Sequence, residues 1–224
     1  MFGPTFQGEG PQQGRYAHFL RLGLCNLNCV WCDTPYTWDW QRFDRKAELG
    51  DWSVEGLVSW CQREQVRLLV ITGGEPLVQR RELGRFVEAL HGYDYPQGIG
   101  VETNGTIAPS AELYNAVDYW NVSPKLAHSG CDDMRYQPNV IKLFAWHPGV
   151  AFKYVVQRVS DFDELDWQVA DCGISRQQVW VMAEGTTSTQ FHSSLRALAS
   201  AALERRYNLT GRLHIELWGD VRGH

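Results

Sequence analysis

A chain of 224 residues with 21 Lys and Arg against 26 Asp and Glu carries a formal net charge of −5. That balance excludes the clustered positive charge a nucleic-acid binder needs to replace phosphate counterions. The hydrophobic fraction of 44% suits an ordinary globular protein, no apolar run approaches the roughly 18 residues of a membrane span, and MFGPTFQGEG is neither basic nor apolar enough for a signal peptide, so a cytoplasmic protein is expected.

The first strand expected from pattern is residues 17–22 (AHFLRL), which runs into a cysteine-rich loop. Residues 54–63 show helical spacing, with Ser53 as N-cap. Residues 67–72 (RLLVIT) read as a buried strand, and residues 80–90 carry Leu83, Phe86, Val87 and Leu90 at a helical period. The alternation continues with a strand at 98–103, a further segment at 111–117, strands at 119–122, 151–156 and 178–182, and helices at 161–170 and 188–206. Strands alternating with helices imply a parallel sheet with crossover helices. About six such units fit, too few for a closed eight-stranded barrel. The expected fold is therefore α/β, an open partial (β/α)6-type barrel with a mostly parallel sheet, forming one domain over residues 1–224. Chemistry in such folds gathers at the C-terminal ends of the strands.

Cysteines stand at positions 25, 29, 32, 61, 131 and 172. Cys61, Cys131 and Cys172 are scattered singly and read as small hydrophobic fillers or neutral surface residues. The other three fall in CNLNCVWC, a C-x3-C-x2-C spacing on one short loop after a strand. A secreted disulfide scaffold is shorter and more cysteine-dense, so this crowding reads as a metal site in a reducing compartment. Cys25, Cys29 and Cys32 can each reach a different iron of a 4Fe-4S cubane, which leaves the fourth iron open. Structural zinc is the competing reading; it wants four ligands, usually as two separated pairs, and a fourth from His18 or Cys61 would be improvised. The spacing resembles the signature of radical S-adenosylmethionine (SAM) enzymes, in which the open iron binds the amino and carboxylate groups of SAM.

Gly73-Gly74-Glu75-Pro76 follows the strand RLLVIT. Two glycines there either make a simple turn or let backbone approach a ligand closely, and the segment resembles the GGEP element that contacts the methionyl part of SAM in radical SAM proteins. Glu102 ends the next strand, and Ser123-Pro124-Lys125 the one after. Glu102, Ser123 and Lys125 are candidate SAM contacts, with helix capping and turn formation as the alternative. Trp31, between the second and third cysteines, either packs near the adenine or shields the cluster from water.

The fragments FQGEGPQQG (6–14), FLRLGLCNLNCVWCDTPY (19–36), TGGEPL, ETNGT, SPK, VMAEG (181–185) and LWGDVRG (217–223) occur in this order. Together they resemble the 7-carboxy-7-deazaguanine synthase family over nearly the whole chain, and the QGEG opening and the Cys32-Asp33-Thr34 continuation are the family-specific parts. The resemblance implies a radical SAM fold and the conversion of 6-carboxy-5,6,7,8-tetrahydropterin to 7-carboxy-7-deazaguanine, with loss of ammonia. It also implies a 4Fe-4S cluster, catalytic SAM and Mg²⁺. A flavodoxin-like or ferredoxin-like reductant, a possible homodimer, and a product that feeds queuosine or other deazapurine pathways are implied in the same way.

The residue chemistry agrees with such a substrate. Arg21 offers a guanidinium fork suited to a carboxylate. Glu9 can accept from the pterin amine and ring N–H, Gln7 can donate and accept, and Gly74 completes the substrate contacts. Thr34 is a hard oxygen ligand suited to Mg²⁺, which by resemblance it would share with the substrate carboxylate. Each has a plainer alternative: an exposed strand charge for Arg21, a loop carboxylate for Glu9, a turn or N-cap for Asp33-Thr34. His214 is either a substrate contact or a structural histidine, and the C-terminal segment of about 207–224 matches the family's closing segment. Two departures are expected to matter. The strand ahead of QGEG is short or missing, and the aromatic tract at 34–43 forms either a lid or a dimer surface. A glycyl-radical activating enzyme and a non-catalytic iron-sulfur module with four protein ligands are the competing functions.

Overall fold

The structure, a computed structural model, describes residues 1–223 apart from residue 132, and of residue 133 the backbone only. Strand β1 (Phe2–Phe6) runs antiparallel to β2 (Tyr16–Leu22). The cysteine loop leads to a one-turn helix α1 (Arg45–Glu48) and to α2 (Val54–Arg63). Then follow β3 (Leu68–Gly73), α3 (Arg80–Leu90), β4 (Gly98–Thr103), α4 (Ala111–Ala116), β5 (Tyr119–Val122) and α5 (Pro138–Ala145). The chain continues through β6 (Val150–Val156), α6 (Asp161–Cys172), β7 (Val179–Ala183), α7 (Ser188–Arg205), the short β8 (Asn208–Leu209) and α8 (Leu213–Trp218). The strands lie in one sheet in chain order, all pairs from β2 to β8 are parallel, and β1 and β8 do not pair, so the barrel is open.

The run from β2 to α7 is the six-unit βα series expected from pattern, and Ser53 caps α2 by accepting from Gly56 N at 3.1 Å. The strand ahead of QGEG is short, not missing: the five-residue β1 pairs with β2, and Phe2 stacks on Phe19 with ring centroids 4.9 Å apart. Its Gly3 and Pro4 argue against a strand, but an edge strand tolerates proline, and the register shifts between Phe2 and Thr5 to absorb it. Helix α5 also lacks an obvious signal, because its eight residues give only two turns in which to show a period. Strand β8 is too short to show any period.

Strand alternation divides the molecule into two faces. One face of β2 to β7 carries Leu20, Leu69, Ile71, Ile99, Val101, Trp120, Val122, Phe152, Tyr154 and Val181, which pack with the helices into the main core. The other face points into the barrel. Its lower end is filled by Ala17, Phe19, Leu68 and Val70, a separate small apolar cluster. Above that floor the inward positions turn polar. Arg21 lies beside Thr72 in the β2–β3 register, Glu102 beside Asn121 in β4–β5, and Lys153 stands on β6. The apolar floor excludes water from below, and the polar ring faces a cavity at the C-terminal ends of the strands.

Two aromatic substitutions test this division. Phe152→Ala removes a fully buried ring and is expected to cost about 3–5 kcal/mol, whereas Trp146→Ala, at 87% exposure, stays within about 0.5 kcal/mol. Urea unfolding of both variants against wild type gives the two values.

Candidate active site

The cavity has a volume of about 410 Å³, within the range of small-molecule sites. Its wall includes Gln7, Glu9, Arg21, Cys25, Cys29, Trp31, Cys32, Thr34, Gly73, Gly74, Glu102, Ser123 and Lys125, drawn from six separate stretches of chain. The fold therefore brings together every candidate site residue read from sequence except Glu75. Glu75 is a correction. It is fully buried, and its carboxylate accepts from Leu77 N (2.9 Å), Thr103 Oγ1 (2.8 Å) and Asn104 N (2.6 Å). Burial raises its pKa against those hydrogen bonds. Its role is to tie the end of β3 to the end of β4, outside the cavity.

The two glycines before it answer a second constraint. Gly74 N donates to Leu22 O at 3.1 Å and Glu75 N to Leu24 O at 2.8 Å, so the end of β3 runs tightly along the chain leading into the cysteines. Gly73 has φ +148°, and a Cβ there would lie 2.1 Å from Leu22 O; one at Gly74 would lie 2.2 Å from Leu24 O and 2.9 Å from Cys25 Cβ. The close approach is thus to the protein's own backbone, and it sets the position of the cysteine loop.

On that loop Leu27 N donates to Cys25 Sγ at 3.4 Å and Trp38 Nε1 to Cys32 Sγ at 3.3 Å. Among the described residues, no group of three or more His, Cys, Asp or Glu side chains is arranged to hold a single metal ion. Cys25, Cys29 and Cys32 all line the one cavity, where three thiolates can hold three irons of a cluster. Burial pushes the Cys25 thiol up to about 11 and that of Cys29 to about 12, so iron binding has to displace firmly held protons. Cys131 is also a correction to its reading as filler: its Sγ sits 3.5 Å from Cys29 Sγ.

Deeper in the cavity Glu9 forms a charge knot. Its carboxylate pairs with Lys153, with Arg212 Nε at 2.9 Å, and lies 3.9 Å from His214 Nε2. Burial alone would raise the Glu9 pKa, but Lys153, Arg212 and His214 together outweigh it and hold the carboxyl well below its ordinary value. Burial likewise works against the charged form of Lys153, and Glu9 and Glu102 overcome it, so its pKa is raised. His214 goes the other way, since burial lowers its pKa and keeps the ring neutral near pH 7. It stands on helix α8, not beside a strand. Arg212 also donates to Gly185 O at 2.8 Å and to Asp33 Oδ2 at 2.5 Å, which links the knot to the cysteine loop.

Lys153 and Arg212 were not singled out from the sequence. A lysine inside the apolar run AFKYVV is a signal for the first; no local pattern marks the second. Gln7 is committed at both ends of its amide, donating to Glu102 Oε1 (3.1 Å) and accepting from Glu9 N (3.2 Å). Glu102 also accepts from Thr72 Oγ1 at 2.8 Å. Lys125 donates to Ser123 Oγ at 3.0 Å and lies over the Trp31 ring, 5.3 Å from its centroid. Arg21, like Lys125, has no carboxylate partner among the described residues; its guanidinium rests 5.7 Å from the Phe2 ring centroid.

The rim is aromatic. Pro35, Tyr36, Trp38 and Phe43 from the tract after the cysteines line the cavity. The closing segment reaches them from the other side: Arg222 lies 3.8 Å from the Tyr36 ring centroid and pairs with Glu48 at 3.1 Å, and Trp218 stacks on Phe6 at 6.2 Å. Residue 224 of that segment lies outside the described residues.

An open parallel barrel with three cysteine sulfurs at its mouth defines a radical SAM enzyme, which works with a 4Fe-4S cluster and SAM. A family model for a 4Fe-4S single cluster domain matches residues 6–120. The chain is 37% identical to the 7-carboxy-7-deazaguanine synthase of Pyrobaculum aerophilum over 98% of its own length and 93% of the relative's. It is 35% identical to that of Hyperthermus butylicus, covering 94% and 88% of the two chains. Among solved structures, QueE from Escherichia coli aligns with a TM-score of 0.70 at 24% identity, over 95% of this chain and 92% of that one. A structure of anSMEcpe with bound AdoMet aligns at a TM-score of 0.56 and 14% identity, over 85% and 63% of the two chains. These two show the fold. The chain belongs to the 7-carboxy-7-deazaguanine synthase family.

Gly74→Ala is expected to push Leu24 and Cys25 out of place and to lower iron and sulfide content per chain after anaerobic reconstitution, while far-UV circular dichroism stays near wild type. Glu9→Gln leaves Lys153 and Arg212 buried without their shared anion and is expected to cost about 3–5 kcal/mol, roughly 6–20 °C in Tm. A carboxyl with a lowered folded pKa stabilises above its ordinary value of 4.5 and loses that contribution as pH falls further. The gap between wild type and Glu9→Gln should therefore be full at pH 7 and shrink below about pH 4.5 in thermal melts.

Proposed function

We propose that this chain converts 6-carboxy-5,6,7,8-tetrahydropterin to 7-carboxy-7-deazaguanine with release of ammonia. Family membership supports the reaction, and one observation supports the substrate class: Arg21 opens into the cysteine-lined cavity without a carboxylate partner among the described residues. A guanidinium in that state is a ready fork for the carboxylate of an incoming molecule. When bound, the cluster and SAM supply a radical that abstracts a hydrogen atom from the substrate.

The chain's own residues bind and orient. Arg21 takes the substrate carboxylate at the β2 end of the cavity, and Thr34, on the rim beside Cys32, offers the oxygen for a Mg²⁺ ion near it. Glu9 is kept ionised by Lys153 and Arg212, so it accepts hydrogen bonds from the pterin's N–H groups. Gln7 acts by holding Glu9 and Glu102 in place. Ser123, Lys125, Trp31, Gly73 and Gly74, which line the same cavity, face SAM. The aromatic tract and the closing segment then keep water from the radical. The whole chain works as one domain, a small flavodoxin-like or ferredoxin-like protein delivers the electron, and the enzyme acts in the cytoplasm. No helix of the described residues is long and apolar enough to cross a membrane.

The test is an anaerobic assay of cluster-loaded protein with SAM, Mg²⁺, dithionite and the carboxypterin. Ring-contracted product is expected by mass spectrometry, and its absence from fully loaded protein overturns the proposal. Arg21→Ala should lower kcat/KM by roughly 10–150-fold, the loss of a hydrogen bond to a charged group, with cluster content unchanged.

A further inference from the structure

The proposed function makes no use of Cys131, yet the fold delivers this residue across 102 positions of sequence to a cluster cysteine, with its Sγ 3.5 Å from Cys29 Sγ. The contact is held on both sides. Next to Cys29, Val30 N donates to Ser129 O at 2.9 Å, and Trp31 Nε1 donates to His128 Nδ1 at 3.1 Å. Next to Cys131, Ser129 is fully buried, and its Oγ accepts from Cys131 N at 3.4 Å. Gly130, at φ +72°, lies so close to Val30 that a Cβ would come within 2.6 Å of Val30 Cγ1. The residues flanking each sulfur are thus docked against one another. The neighbouring cluster cysteines face other groups: Cys25 takes Leu27 N, and Cys32 takes Trp38 Nε1. Cys61 and Cys172 are buried within helices.

Two thiolates on different irons of one cubane diverge from each other, so sulfurs in contact at 3.5 Å are poorly placed to be two of its ligands. They are well placed to bond directly, because closing to the disulfide length of about 2.05 Å takes a movement of about 1.5 Å. We propose that Cys29 and Cys131 form a reversible disulfide when the cluster is absent, which takes a cluster ligand out of service and protects it. The proposal rests on the reading of Cys29 as a cluster ligand.

The exchange needs a small-molecule disulfide as oxidant. One protein thiolate attacks it and releases the first small thiol, and the second protein thiolate then attacks the mixed disulfide and releases the other. The two protein thiols give up two electrons and two protons, and the oxidant leaves as two thiols. A dithiol reverses the reaction. While the bond stands, Cys25 and Cys32 alone cannot hold a cubane, and Cys29 is kept from the irreversible sulfinic and sulfonic states. When the cluster is present, Cys29 is occupied and the bond cannot form.

The experiment compares full-length cluster-loaded enzyme with the same enzyme stripped by a chelator, both treated with oxidised glutathione, alkylated and mapped after chymotryptic digestion. Cleavage after Leu27 and Trp31 separates Cys29 from Cys25 and Cys32. A Cys29–Cys131 cross-linked peptide is expected from stripped enzyme, absent from loaded enzyme, and removed by dithiothreitol with full recovery of cluster loading. Cys131→Ser should lose the cross-link, carry glutathione on Cys29, and load as much iron and sulfide as wild type. A cross-link confined to residues 25–32, or none at all, overturns the proposal, as does a Cys131→Ser variant that loads less cluster. Full cluster loading by Cys29→Ser would instead refute the ligand assignment, a failure distinct from that of the disulfide.

Discussion

Glu9 holds a buried negative charge between Lys153, Arg212 and His214, and much of the site depends on that one arrangement. Its partners come from places the sheet does not join. Glu9 lies in the loop between β1 and β2, Lys153 is mid-strand on β6, and Arg212 precedes α8. The desolvation of several charges is expensive, and only close mutual pairing with satisfied hydrogen bonds offsets it. Removing Glu9 leaves Lys153 and Arg212 buried without their shared anion, so its carboxylate is the centre of the clamp.

The clamp also completes an incomplete barrel. β1 and β8 do not pair, and the gap between them is bridged by other means: Gly10 N donates to Thr210 Oγ1 at 2.7 Å, and Leu213 N to Gly8 O at 2.9 Å. Arg212 extends the bridge to Asp33 on the cysteine loop. The segment that closes the cavity is therefore anchored to the same charges that line it. Below this ring, strand alternation supplies the rest of the order, with large apolar side chains toward the helices and a small apolar floor inside.

Much of this was legible in the chain itself. The parallel series from β2 to α7 followed from strand runs alternating with helical periods, and the cysteine loop from a spacing of eight residues. Less legible were β1, hidden by Gly3 and Pro4, and α5, which has only two turns in which to show a period. The motif Gly73-Gly74-Glu75 was located correctly as a strand end beside the site. Its glutamate proved to be a tie between strand ends, and its glycines proved to make room for Leu22 and Leu24. A short motif shows where backbone must pass closely, but not what it passes.

By itself, the sequence determined the βα order, the family and the three-thiol loop, because periodicity and short spacings are local properties that survive in one dimension. Only the tertiary structure decided which charges meet Glu9, that Glu75 turns away from the cavity, that Arg21 is left without a carboxylate partner among the described residues, and that Cys131 lies against Cys29. One of those pairings, Arg212 with Glu9, joins residues 203 positions apart. No local pattern encodes such a contact; it exists once strand alternation and the packing of helices on the sheet have brought distant segments to one cavity.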